Sequence, residues 1–150
     1  MDRTDSEILQ LLQRNARMSM SEISTHVNLS VSAVSERLRK LEQSGLILRY
    51  TTVLNPEMFN KSLQVFVPLE LCSNHKPEAL EAIVKEEADI LEYHRLVGGG
   101  HALLKIVTRD IDSLEAILSR IRQIDGVRPL YANMIAASPK CNPSVPPIME

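Results

Sequence analysis

SMSEISTHVNLSVSAVSERLRKLEQSG, residues 19–45, is the stretch whose reading decides the fold. It opens with Ser19-Met20-Ser21-Glu22, an S/T-x-x-E box in which hydroxyl and carboxylate each satisfy the other residue's backbone N–H. Met20, Ile23 and Val27 follow at the spacing of one buried face on a short helix. Asn28-Leu29-Ser30 breaks that face, and Ser30 stands where a cap would start the next helix. On that helix Val31, Val34, Leu38 and Leu41 form an apolar stripe, which Gly45 ends. Two helices separated by so short a break predict a helix-turn-helix.

Upstream, Thr4-Asp5-Ser6-Glu7 reads as another capping box, ahead of Ile8, Leu9, Leu11 and Leu12 on a first helix. The outward face of the third helix carries Ser32, Ser35, Glu36, Arg39 and Gln43, with Arg37 and Lys40 on its flanks. Small hydroxyls near a helix start let its backbone come close to a major groove, and a long Arg further along reaches a base edge or a phosphate. The same residues also suit a plain solvated surface. Downstream, Leu46 to Leu54 is rich in β-branched and aromatic residues and ends at Asn55-Pro56, which predicts a strand. Such a strand would serve as a wing with Arg49 facing a phosphate, as a domain connector, or as both.

Beyond it the periodicity alternates. Leu63 to Cys72 reads as a strand with Leu63, Val65, Val67, Leu69 and Leu71 on one face, and Pro77 opens a helix bearing Leu80, Ile83 and Val84. Ile90 to Val97 and Ala102 to Thr108 read as strands around Gly98-Gly99-Gly100. Asp112-Ser113-Leu114-Glu115 reads as the cap of a helix carrying Leu114, Ile117, Leu118 and Ile121, and Val127 to Ala137 as a last strand. The order β-α-β-β-α-β is ferredoxin-like. Two helices cover one face of such a sheet, and the aliphatic strands predict that the other is buried by self-association.

The expected class is therefore α+β: a winged helix-turn-helix (three helices plus a wing or hinge strand) followed by a ferredoxin-like domain. The expected organisation is a helix-turn-helix over 1–45, a hinge strand and linker over 46–62 and the second domain over 63–137. Residues 138–150 hold four of the eight prolines and read as an irregular tail.

Composition fits this picture. The 150 residues carry 17 basic and 19 acidic side chains and are 44% hydrophobic, a globular balance rather than that of a disordered or fibrous chain. No apolar run approaches the ~20 residues of a membrane-crossing helix and no signal peptide opens the chain, so a cytoplasmic protein with no membrane partner is expected. Cys72 and Cys141 lie far apart with no CxxC, which argues against a disulfide framework or zinc site. Aromatics are 3% and Trp is absent, so a single-strand reader built on stacked rings is disfavoured.

The residues Asp5, Ile8, Leu9, Leu12, the string Leu29 to Leu38, then Leu41-Glu42, Gly45, Ile47, Tyr50 and Asn55-Pro56, together with the β-α-β-β-α-β half, resemble the Lrp/AsnC (leucine-responsive/asparagine, feast/famine) transcriptional regulators. The resemblance spans residues 1 to about 137. It implies a DNA-binding N-terminal domain and a C-terminal domain that forms dimers, then tetramers or octamers, and senses an amino acid or related metabolite between subunits. It implies double-stranded DNA as partner, with contacts from Ser30, Ser32, Ser35, Arg37 and Arg39; the residues themselves add Glu36, Lys40 and Arg49. It also implies that Leu46 to Leu54 pairs across the dimer, which sets half-sites about one DNA turn apart.

The effector loop departs from the family pattern. Where members commonly carry Gly-Asp-x-Asp, this chain has Gly98, Gly99, Gly100 and His101 after Val97, so both acidic positions are lost. A carboxylate there would pair with a ligand ammonium. The glycines still offer backbone N–H groups to a ligand carboxylate. Val97 to His101 are thus the expected ligand residues, toward something other than a simple amino acid; the same residues also suit a plain strand-connecting turn with no effector at all. His94 and His101 have no evident third partner, so no metal and no resident cofactor are expected. Tyr93-His94-Arg95 faintly resembles sirohaem decarboxylases, but their histidine-rich signature is missing, and no enzyme is expected. The other alternative is a ligand-sensing or assembly module without DNA binding, against which Arg37, Arg39 and Lys40 speak.

Overall fold

The computed structural model describes residues 1–73 and 76–147; residues 148–150 of the expected tail lie outside them. The chain divides into two compact units, residues 1–53 with 140–150, and residues 54–139.

The first unit holds α1 (Arg3–Arg14), α2 (Met20–Val27) and α3 (Val31–Gln43). Their core is Ile8, Leu12, Ile23, Val34, Leu38 and Leu41, flanked by Leu9, Leu11, Met18, Met20, Val27, Leu29 and Ile47. Ser19 and Glu22 form the expected capping box, and Ser30 caps α3. Asn28 makes the tight turn in the left-handed conformation, φ +53°, which a short polar side chain tolerates. The cap of α1 is not Thr4 but Asp2, paired reciprocally with Asp5; acid at both ends of the box forms the same two bonds. Val31 is 47% exposed, because the first helical residue precedes the turn that packs inward.

Residues 48–55 carry no secondary structure, contrary to the expected strand over Leu46 to Leu54. A strand needs a neighbour to take its N–H and C=O groups, and among the described residues none lies beside it. Leu48 is 90% exposed and Val53 79%. The tail is not independent of the first unit: Gln13 Nε2 donates to Ser144 Oγ (2.9 Å) and to the Val145 carbonyl (2.7 Å), and the Ser6 hydroxyl donates to the Pro147 carbonyl.

In the second unit, a 3-10 turn (Pro56–Phe59) leads to β1 (Leu63–Leu71), α4 (Pro77–Glu86), β2 (Ile90–Leu96), β3 (His101–Thr108), α5 (Ile111–Arg122), β4 (Val127–Pro129) and β5 (Asn133–Met134). Strand order β2-β3-β1-β4, with β1 antiparallel to both β3 and β4, is the expected ferredoxin-like sheet. Val65, Val67, Leu69, Leu71, Ala102, Leu104 and Ile106 meet Leu80, Leu114, Ile117, Leu118 and Ile121 from the helices. Burying a side chain of this size contributes about 1.5–3 kcal/mol.

Three details differ from expectation. The last strand is two short pieces: Pro129 lacks an N–H, and five steps from Pro129 to Met134 face four from Leu69 to Val65, a one-residue bulge. The cap of α5 is Asp110, which accepts from Ser113 N–H at 2.8 Å, not Asp112. The aliphatics lie on the helix side of the sheet. On the other side Phe66, Pro68 and Leu103 are half-buried among Glu92–Lys105 and Glu70–Arg128 ion pairs.

Candidate DNA-reading helix and glycine loop

Because Val34, Leu38 and Leu41 fix which side of α3 faces the core, Ser32, Ser35, Glu36, Arg39 and Lys40 all fall on exposed positions. Ser30 accepts the Ala33 N–H at 3.2 Å and shares a hydrogen bond with the Ser32 hydroxyl at 3.0 Å, so hydroxyls cluster at the N-terminus of α3, its positive end. Glu36 collects the cations that follow it. Arg39 reaches it through Nε (3.1 Å) and Nη2 (2.8 Å), and Lys40 lies 3.5 Å away. Arg39 holds the Glu36 carboxyl below its ordinary range. These exposed pairs are weak and exchangeable.

Arg37 is placed differently. Its Nη1 lies 2.6 Å from Asp2 Oδ2 and 2.8 Å from Asp5 Oδ1, both at the start of α1. Nothing in helical spacing shows this, since the partners lie 35 and 32 residues away. Arg49 sits exposed on the extended stretch. That stretch is pinned to α3 by the Tyr50 hydroxyl, which donates to Glu42 at 2.9 Å; burial, then the neighbouring carboxylate, pushes Tyr50 up to about 12.

In the second unit Val97, Gly98, Gly99 and Gly100 form the turn between β2 and β3, with Val97 fully exposed. All three glycines have positive φ (+98°, +110° and +65°). At Gly100 glycine is required twice, by its left-handed φ and because an added Cβ would lie 2.7 Å from the Leu71 carbonyl oxygen; the close approach is held by Leu71 N–H, which donates to the Gly100 carbonyl at 2.7 Å. The His101 ring folds back over Gly99, where a Cβ would lie 3.4 Å from Cδ2, and its buried Nδ1 has no hydrogen-bond partner among the described residues. His94 pairs with Glu92 at 3.1 Å. Among the described residues no group of three His, Cys, Asp or Glu side chains could hold a metal ion, and no helix is long and apolar enough to cross a membrane.

Comparisons with known proteins agree with both halves. Residues 1–47 match the family described as winged helix-turn-helix DNA-binding, and residues 64–145 match the Lrp/AsnC ligand binding domain. The leucine-responsive regulatory protein of Salmonella typhimurium is 37% identical over 121 residues, 79% of this chain and 73% of its own length. The HTH-type transcriptional regulator FL11 of Pyrococcus abyssi is 28% identical over 146 residues, 97% of this chain and 96% of its own length. Among solved structures, a transcriptional regulator of Neisseria meningitidis in complex with L-Met superposes with a TM-score of 0.89 at 30% identity, covering 97% and 96% of the two chains. These names are those of regulators rather than enzymes. With a DNA-binding unit, a ligand-binding unit and this likeness along nearly its whole length, the chain belongs to the Lrp/AsnC family of transcriptional regulators.

Proposed function

We propose that this regulator works in the cytoplasm as a two-fold dimer, or an assembly of dimers, that reads double-stranded DNA by placing α3 in the major groove. The observation that carries the reading is the outer face of α3, where hydroxyls lead and exchangeable cations follow on a helix anchored by its opposite side. Ser30, Ser32 and Ser35 let the backbone approach, while Arg39 and Lys40 trade Glu36 for phosphate. Glu36 then faces base edges, where a carboxylate accepts from a cytosine amino group. Arg49, on the exposed stretch, meets a neighbouring phosphate. The exposed stretch over residues 46–54 supports pairing with its copy across the two-fold axis, which would supply the strand hydrogen bonds that it does not make among the described residues.

The turn from Val97 to His101 holds a small effector by the carboxylate end, through glycine N–H groups. With Gly99 and His101 at the acidic positions, the loop itself offers no carboxylate to an ammonium group, which favours a carboxylate metabolite such as a 2-oxo acid. The relative solved with L-Met and the match of residues 64–145 to a ligand binding domain support a small-molecule effector for this unit. Such an effector acts by favouring one assembly over another.

The test is a titration of DNA from upstream of the protein's own gene against random duplex at several salt concentrations. Preference for the upstream DNA, with affinity falling steeply with salt, is expected. Equal weak binding to both would overturn the reading. Thermal shifts with amino acids and with their 2-oxo counterparts decide the effector class.

A further inference from the structure

Each carboxylate at the start of α1 divides its two oxygens in the same way. Asp2 takes the Asp5 N–H on Oδ1 (2.8 Å) and Arg37 on Oδ2; Asp5 takes the Asp2 N–H on Oδ2 (2.9 Å) and Arg37 on Oδ1. The reciprocal cap of α1 and the grip on Arg37 are therefore one closed network, with no carboxylate oxygen left over. Asp5 is 15% exposed and Arg37 34%, well below the 53% and 69% of Arg39 and Lys40. Arg37 follows Val34 and precedes Leu38 and Leu41 on α3, at the edge of the buried stripe.

Charge points the same way. One guanidinium between two carboxylates leaves these three side chains a net charge of −1, which opposes a phosphate, and both bonds leave from Nη1, so the guanidinium is held at one end by the start of α1. The Asp5 and Asp2 carboxylates hold the Arg37 proton more tightly than usual, and the cap together with Arg37 keeps Asp2 ionised to lower pH.

We propose that Arg37 is a positioning residue, which fixes the setting of α3 against the start of α1 through Asp2 and Asp5 and leaves phosphate contact to Arg39, Lys40 and Arg49. The proposal rests on α3 being the DNA-reading helix. Binding strength then depends on two acidic side chains that themselves repel DNA.

The experiment uses the full chain and labelled upstream duplex, read by fluorescence anisotropy well below the melting temperature. The variants are Arg37→Gln, Arg37→Lys, Asp2→Asn with Asp5→Asn, and the triple combination, with Arg39→Ala for reference. A positioning role predicts that Arg37→Gln and the paired Asp changes each weaken binding by about tenfold, the scale of a lost charge-assisted bond. The triple variant is then no weaker than either, the salt dependence stays that of the wild type, and Arg37→Lys recovers part of the loss. Arg39→Ala instead lowers the salt slope by about one unit.

The proposal is overturned if Arg37→Gln lowers the salt slope while the Asp changes leave binding intact or tighten it. The same cycle of variants is followed by thermal unfolding without DNA, where strong non-additivity is expected; additive midpoints would overturn the coupling. If the wild type itself shows no salt-dependent binding, the regulator reading fails separately, and the unfolding cycle still decides the network.

Discussion

Replacing Ser30 by alanine removes the side-chain acceptor for the Ala33 N–H (3.2 Å) and the partner of the Ser32 hydroxyl (3.0 Å) at the start of α3. Loss of a helix cap costs about 1 kcal/mol, which in a unit of roughly 60 residues lowers the melting midpoint by about 4–8 °C. Ser30→Asp keeps the acceptor and adds a negative charge at the positive end of the helix, so the midpoint should return to that of the wild type or rise slightly. The same charge near a phosphate, at roughly 6 Å and an effective dielectric between that of surface protein and water, weakens DNA binding by about tenfold. Ser19→Ala is the control, since it removes an equivalent cap (Glu22 N–H at 3.2 Å) from α2. Calorimetry and anisotropy on the same preparations check both halves. The expected pattern is a melting loss in both alanine variants and a DNA loss in the aspartate variant without a melting loss. The reasoning is refuted if Ser30→Asp binds upstream DNA as tightly as the wild type, or if Ser30→Ala leaves the midpoint unmoved.

Glu36→Gln releases Arg39 and Lys40 from their shared partner and removes a charge facing DNA, so affinity for random duplex should rise several-fold in anisotropy titrations while base preference weakens. Gly100→Ala combines left-handed backbone strain with a Cβ 2.7 Å from the Leu71 carbonyl oxygen, and should cost about 2 kcal/mol or more in urea unfolding. Asp110 is lowered to about 2 by the Ser113 hydroxyl and N–H and by Arg109. Its stabilisation is complete above the unfolded value near 3.8 and is lost as pH falls through about 2; Asp110→Asn should remove that part of the acid limb in unfolding followed by circular dichroism.

The parts of the fold that the sequence announces are those set by neighbours within a turn or two. Ser30 and the Val34-Leu38-Leu41 stripe fix α3, alternation fixes β1, and Pro77 fixes the start of α4. The caps at Asp2 and Asp110 are not distinguished by the sequence, because competing S/T/D boxes begin two residues later and periodicity does not separate them. Strands fail where partners are remote: Leu46 to Leu54 has the composition of a strand but no neighbour among the described residues, and Pro129 breaks the last strand through a missing donor. The outward residues of α3 could be read from spacing. The network around Arg37 could not, because its partners lie a whole domain core away in sequence.

The first unit is discontinuous in the chain, and this sets an order of events during synthesis. Residues 1–53 contain the α1–α3 core and can collapse early, yet the Ser6 hydroxyl waits for the carbonyl of Pro147, 141 residues later, and Gln13 waits for Ser144 and Val145. At 5–20 residues per second the delay is about 7–30 s. During that interval the second unit, which separates the two parts of the first along the chain, is being synthesised. The reading unit therefore gains its last contacts only once the ligand-binding unit has been synthesised, so a chain broken off before residue 144 carries a helix-turn-helix that has never been fully tied down.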